Sequence, residues 1–117
     1  MVFKYPYKDT MNPYPLPLPV SRAILKLGRD VSLARRRRRL TQDSLAERAG
    51  VGSNTLRRLE KGDSGVSLEN LARVLHVLGE IERLALVLDT ATDESGLVMM
   101  DEQLPKRVRA RKTPAAL

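Results

Sequence analysis

The side chains best suited to chemistry in this chain lie close together between residues 35 and 61. Asn54, Arg57 and Arg58 form one short cluster, with Ser53 before it and Lys61 after it. Asn can pair with adenine through two hydrogen bonds and Arg with guanine through two, so these types suit reading base edges in a DNA major groove. Thr41 and Gln42 open an expected helix, where a side chain and backbone N–H groups can hold a phosphate. Arg35 to Arg39 form the most basic run. Successive helical residues turn by about 100°, so these five cannot all point one way and some must face solvent. Other chemistries are poorly served. There is no Cys, and the single His, His76, falls among charges on its helix. No motif brings a nucleophile, a base and an orienting group together, and no glycine loop suited to phosphate is present. We therefore expect no enzyme activity, no metal and no cofactor.

These residues must be held by the stretch TQDSLAERAGVGSNTLRRLEKG, residues 41 to 62. Thr41 is a good N-cap, and Leu45, Ala46 and Ala49 share one face of the helix it opens. Gly50 can take positive φ and end that helix. Val51 plugs the turn. A second helix follows from about Ser53 to Lys61, burying Leu56 and Leu59, and Gly62 stops it. A small residue at Ala46 lets two helices cross steeply through a short turn. The pattern is that of a helix-turn-helix, whose second helix can enter a major groove.

The remainder must complete one domain, since 117 residues allow little more. With no Trp and one Phe the core must be aliphatic. Leucine, valine and alanine at helical spacing point to an all-α fold. The absence of Cys excludes disulfides and suits a reducing cytoplasm. No apolar run approaches a membrane span, and the proline-broken N-terminus lacks the apolar region of a signal peptide. A net charge of +7 favours an anionic partner.

Residues 1–20 should form a proline-rich extended arm, because PYPLPLP cannot be helical. It either lies solvated or docks on a partner through Tyr14, Leu16 and Leu18. The domain proper should span 21–89. Its first helix runs from Ser21 to about Arg38, with Ile24, Leu27, Val31 and Ala34 inward and Leu40 closing the corner. Ser67 caps a fourth helix over about 68–78, with Leu68, Leu71, Ala72, Leu75 and Leu78 as its core stripe. Glu69 and Arg73 make an i, i+4 pair on its other face. Glu80 to Asp89 should be a fifth helix, turning Ile81, Leu84, Ala85 and Leu88 inward. Val74, Val77, Leu86 and Val87 are left over and are expected to form a homodimer seam. Residues 90–117 are expected to be a flexible tail, first acidic and then basic.

The stretch from residue 41 to 62 resembles the phage repressor/Cro-like (XRE) class, through LTQ before the first helix, LAE.AGV through the turn and T…LE.G at the end. Gly52 departs from the Ser usual in that class, and glycine is an acceptable cap. The resemblance implies a compact five-helix repressor-like domain that binds palindromic double-stranded DNA as a dimer. It implies base contacts by Ser53, Asn54 and Arg58, with Arg57 reaching a base or a phosphate. Phosphate contacts are implied for Thr41 and Gln42, with Lys61, Arg38 and Arg39 adding attraction. Arg35 stands where such repressors carry an arginine that pairs with a glutamate, here Glu60, tying the first helix to the recognition helix. LPKRVR, from Leu104 to Arg109, and LPLPVSRAILKLG near the N-terminus are similar to HipB-like regulators. That wider likeness implies an antitoxin that represses its own operon and restrains a HipA-like kinase toxin. A protein-binding adaptor that uses the fold without DNA is the competing reading, as is an XRE regulator with no toxin partner.

Overall fold

The structure, a computed structural model, describes residues 14–90 together with Pro105 and Arg107. Among the described residues there are five helices and no strand. They are α1 (Leu18–Arg37), α2 (Gln42–Ala49), α3 (Ser53–Glu60), α4 (Leu68–Val77) and α5 (Ile81–Ala85). Two compact units divide between Leu84 and Ala85. Apart from Pro105 and Arg107, the stretch from Leu104 to Arg109 lies outside the described residues, as does the expected arm before Tyr14.

Helix α1 begins three residues before the expected Ser21. Pro17 stands at its N-cap and Pro19 in its first turn. The first-turn N–H groups of a helix have no intrahelical partner, so a proline there costs nothing and its fixed φ suits the helix. The proline-rich arm therefore runs directly into α1. At the other end Arg38 donates from its backbone N–H to Ala34, and Arg39 takes φ 58. The left-handed residue lets the Leu40 N–H return to the Arg35 carbonyl at 3.1 Å, which ends the helix.

The joints between α2, α3 and α4 follow from local chemistry. The Thr41 hydroxyl accepts from the Ser44 N–H at 3.0 Å, and the Ser67 hydroxyl accepts from the Asn70 N–H at 3.1 Å. Each such cap is worth about 1 kcal/mol. Gly50 ends α2 at φ 73, and Val51 returns a hydrogen bond to the Ala46 carbonyl. Gly52 caps α3 through extended backbone without a side-chain bond. Glu69 and Arg73 pair along α4 at 3.1 Å.

The core comprises Val31, Leu45, Ala46, Ala49, Leu56, Leu59, Val74 and Leu78. Leu27, Ala34, Leu40, Val51, Val66, Leu71 and Val77 pack around it. Each fully buried leucine contributes about 1.5–3 kcal/mol, so this cluster dominates the stability of the domain. Ala46 is buried in the core with Leu45 and Ala49 of the same helix. At Gly28, α1 meets the backbone of α3 directly. A Cβ at Gly28 would lie 2.4 Å from the Leu59 carbonyl oxygen and 2.8 Å from that of Glu60. Gly62, at φ 82, accepts the Leu25 side chain at a similarly close approach.

Three expectations are corrected. Val74 is not on a dimer seam; it is 1% exposed and central to the core. Seven apolar residues from Leu68 to Leu78 allow two stripes, and the one against α2 runs through Leu71, Val74 and Leu78. Val77 is partly buried against the core and keeps some exposed surface, whereas Leu68, expected inward, is exposed. The fifth helix stops at Ala85 and gives way to a turn, closed by the Asp89 N–H on the Leu86 carbonyl at 3.1 Å. Val87, Asp89 and Thr90 are poor helix formers, which removes the drive to continue. Ala85 and Leu88, expected inward, are therefore exposed, as are Leu86 and Val87.

Candidate nucleic-acid interface

Leu56 and Leu59 anchor α3 in the core, and its outward face carries Asn54, Arg57, Arg58 and Lys61, all exposed. Ser53 sits at the N-terminal edge of that face, half-buried. No large apolar side chain interrupts this surface. Amide, guanidinium and ammonium groups offer donors and acceptors to base edges and phosphates, with nothing on which a protein groove would close.

The outward side chains are joined to the surroundings of α3 on both sides. Toward α2, Ser53 Oγ donates to Asp43 Oδ1 at 2.8 Å, and an Arg57 nitrogen stands 3.7 Å from the same oxygen. Arg57 also donates to Asn54 Oδ1 at 3.0 Å. Toward the turn after α3, Arg58 Nε donates to Asp63 Oδ2 at 2.8 Å. Asp63 pushes the Arg58 guanidinium pKa upward through that bond and through its charge. Lys61 ends α3 as its C-cap and stays exposed.

A second layer behind this face fixes how α3 is held. Arg35 Nε donates to Glu60 Oε2 at 2.7 Å, and Arg35 Nη2 donates to Glu60 Oε1 at 3.1 Å. Arg35 Nη1 donates to the Leu40 carbonyl at 2.9 Å, and Gln42 Nε2 donates to Glu60 Oε1 at 2.9 Å. The two charged side chains are 12% and 6% exposed, so the pair is largely out of water. A carboxylate near a helix C-terminus meets an unfavourable dipole, and the planar guanidinium compensates it through two parallel bonds. Helices α1, α2 and α3 thus meet at one polar junction.

The remaining residues of interest have more limited freedom. Gln42 directs its amide inward to Glu60, so its contribution at the surface falls to the N-terminus of α2 rather than to its side chain. Thr41 uses its hydroxyl oxygen as a cap acceptor. Arg38 folds back, with Nη1 on the Ala34 carbonyl at 2.7 Å and Nη2 3.9 Å from Glu80. Arg39 is exposed at the left-handed corner. Reasoning from the sequence missed Asp43 and Asp63. Asp43 stands ten residues before Ser53 and Asp63 five after Arg58, so neither pairing follows a helical repeat. The sequence signal available was weak: an acid in a first helical turn, and an aspartate two residues before a glycine.

Residues 31–86 match a family model described as helix-turn-helix, of the XRE type. The matched stretch runs from the second half of α1 past α5, and it takes in both helices of the motif and the Arg35–Glu60 junction. The matched stretch is thus similar to helix-turn-helix domains, and the match points to a DNA-binding transcription regulator. Neither the curated proteins nor the solved structures compared with the chain gave a match. Among the described residues no helix is long and apolar enough to cross a membrane.

Proposed function

We propose that this protein is a dimeric, sequence-specific transcriptional repressor that reads a palindromic operator with α3. The observation that carries the reading is the outward face of α3: Asn54, Arg57, Arg58 and Lys61 project from a helix anchored on its other side by Leu56, Leu59 and Glu60. Asn54 and Arg58 read bases, Ser53 and Arg57 contribute at the N-terminal end, and Lys61 and Arg39 supply phosphate attraction. The N-terminus of α2 meets the backbone beside the groove. Two copies are needed because half-sites about one helical turn apart require two recognition helices. We place Leu86 and Val87, both exposed, and the partly buried Val77 in the seam.

The narrower form of the proposal is an antitoxin that represses its own operon and restrains a HipA-like kinase in the cytoplasm. The likeness of Leu104 to Arg109, and of the segment around Pro17, to HipB-like regulators supports it. A gel shift on the DNA upstream of the protein's own coding sequence tests the broader reading. A shift that survives excess random DNA is expected; equal competition by random DNA would refute sequence-specific reading, and no shift at all would leave the adaptor reading in its place. Recovery of a kinase with the tagged full chain from its native host tests the narrower one. Its consistent absence from that recovery refutes it.

A further inference from the structure

Arg58 is not a freely projecting side chain. Its Nε is held by Asp63 Oδ2 at 2.8 Å, and the other oxygen of that carboxylate accepts from the Gly65 backbone N–H at 2.7 Å. The carboxylate is thus tied to the backbone of the turn that follows α3. Gly65 also keeps the place clear. A Cβ there would lie 3.0 Å from Arg58 Nη2 and 3.1 Å from Asp63 Oδ1. The guanidinium is planar and its donors form a rigid fork, so fixing Nε–H fixes the direction of its outer edge. With Nε engaged by Asp63, the Nη1 and Nη2 groups are the donors left to meet a base. They match the two acceptors, O6 and N7, of a guanine in the major groove. Arg58 is nonetheless 47% exposed, so a duplex can reach it.

We propose that Asp63, anchored by the Gly65 N–H, is a positioning residue that presents Arg58 to one guanine of each half-site. The role rests on the reading of α3 as a DNA-recognition helix. It makes the turn after the helix part of the reading apparatus and determines specificity from outside the helix itself. An Arg already held in its bound orientation loses less freedom on binding, so discrimination at that base pair improves. The carboxylate acts in the opposite sense on random DNA, because an anion close to the phosphates weakens contacts that do not engage the guanine. Asp63 therefore raises selectivity by two routes.

The test is selection of binding sites from random duplexes by the full-length wild type, Asp63→Ala, Asp63→Asn, Gly65→Ala and Arg58→Ala. Affinities are then measured for the preferred site and for its variant at each base pair. Thermal melting of every variant separates a folding defect from a reading defect. Asp63→Ala is expected to lose about tenfold of its discrimination at the single base pair that Arg58→Ala also relaxes. Its affinity for random DNA should stay constant or rise. Asp63→Asn keeps an oxygen for Gly65 and should retain part of the preference, while Gly65→Ala crowds Nη2 and should lose preference at the same base pair. Adding Asp63→Ala to Arg58→Ala should change discrimination no further. A wild type without sequence preference sinks the DNA-reading function and this role with it. A selective wild type whose preference is unmoved in Asp63→Ala sinks the role of Asp63 alone. So does a uniform loss on all sequences, a sharpened guanine preference, or an additive loss in the double variant.

Discussion

Removing Arg35 should damage this domain more than removing any other arginine of its run. Arg35→Ala deletes two bonds to Glu60 and one to the Leu40 carbonyl. It leaves a carboxylate that is 6% exposed with Gln42 as its remaining side-chain donor. Breaking a largely buried pair by removing one partner costs about 3–5 kcal/mol, because the surviving charge stays out of water. For a domain this small, each kcal/mol lowers the melting temperature by about 4–8 °C, so a fall of at least about 12 °C is expected. Arg36→Ala and Arg37→Ala remove exposed side chains and should stay within about 0.5 kcal/mol of wild type. Arg35→Lys keeps the charge but loses the fork, and should fall between. Glu60→Ala should resemble Arg35→Ala, and the double alanine variant should be less damaged than the sum of the two. A coupling energy of about 2–3 kcal/mol is therefore expected from the double-mutant cycle. Thermal denaturation of the three arginine variants and of the cycle measures all of this. Three similar melting temperatures with a coupling near zero would mean that the junction adds nothing to folding, and the reasoning would be wrong.

Gly28→Ala should cost about 3 kcal/mol, since its methyl meets two backbone carbonyls that cannot swing aside, whereas Gly79→Ala, with open space around it, should cost only about 1 kcal/mol for its left-handed φ; equal melting temperatures would deny the close crossing. DNA binding by a dimer that neutralises about eight phosphates should weaken with salt at a log–log slope near −7, and Lys61→Ala should reduce the slope to about −5 while weakening all sequences alike; a loss confined to the preferred operator would make Lys61 a base reader instead. Truncation after Gly96 should leave the melting temperature of the domain nearly unchanged, because every core residue among the described residues precedes it, and a truncated chain that unfolds would show the tail to be part of the core.

The turn chemistry of residues 41 to 67 was legible because it is local. Thr41 and Ser67 accept the N–H groups expected of caps, and Gly50 and Gly62 take the left-handed conformations that end α2 and α3. Each of those inferences needed only the residue and its near neighbours. The orientation of α4 needed a tertiary partner. Seven apolar residues between Leu68 and Leu78 fit two stripes, and packing against α2 chose the one that buries Val74. The start of α1 was obscured by a proline run that reads as extended chain yet supplies a permissible first helical turn. On α3, helical spacing placed Asn54, Arg57 and Arg58 on the exposed face, but the aspartates beside them lie across a turn or on another helix. Pairing between elements has no period that a sequence displays.

The contact of α1 with the carbonyl end of α3 also decides how freely this reading head can be exchanged. A recognition helix is often treated as a cassette, to be cut from one regulator and grafted into another. Here the last turn of the cassette seats against bare backbone at Gly28, and its stop residue takes in the Leu25 side chain. Gly28 precedes the stretch that matches the family model, so a donor chosen by that match brings no information about the seat. A grafted α3 will dock only where the recipient's first helix offers the same gap. On the function proposed above, retargeting to a new operator is therefore best confined to Asn54, Arg57, Arg58 and Lys61, and a whole-helix transplant has to carry residues 25 to 28 with it.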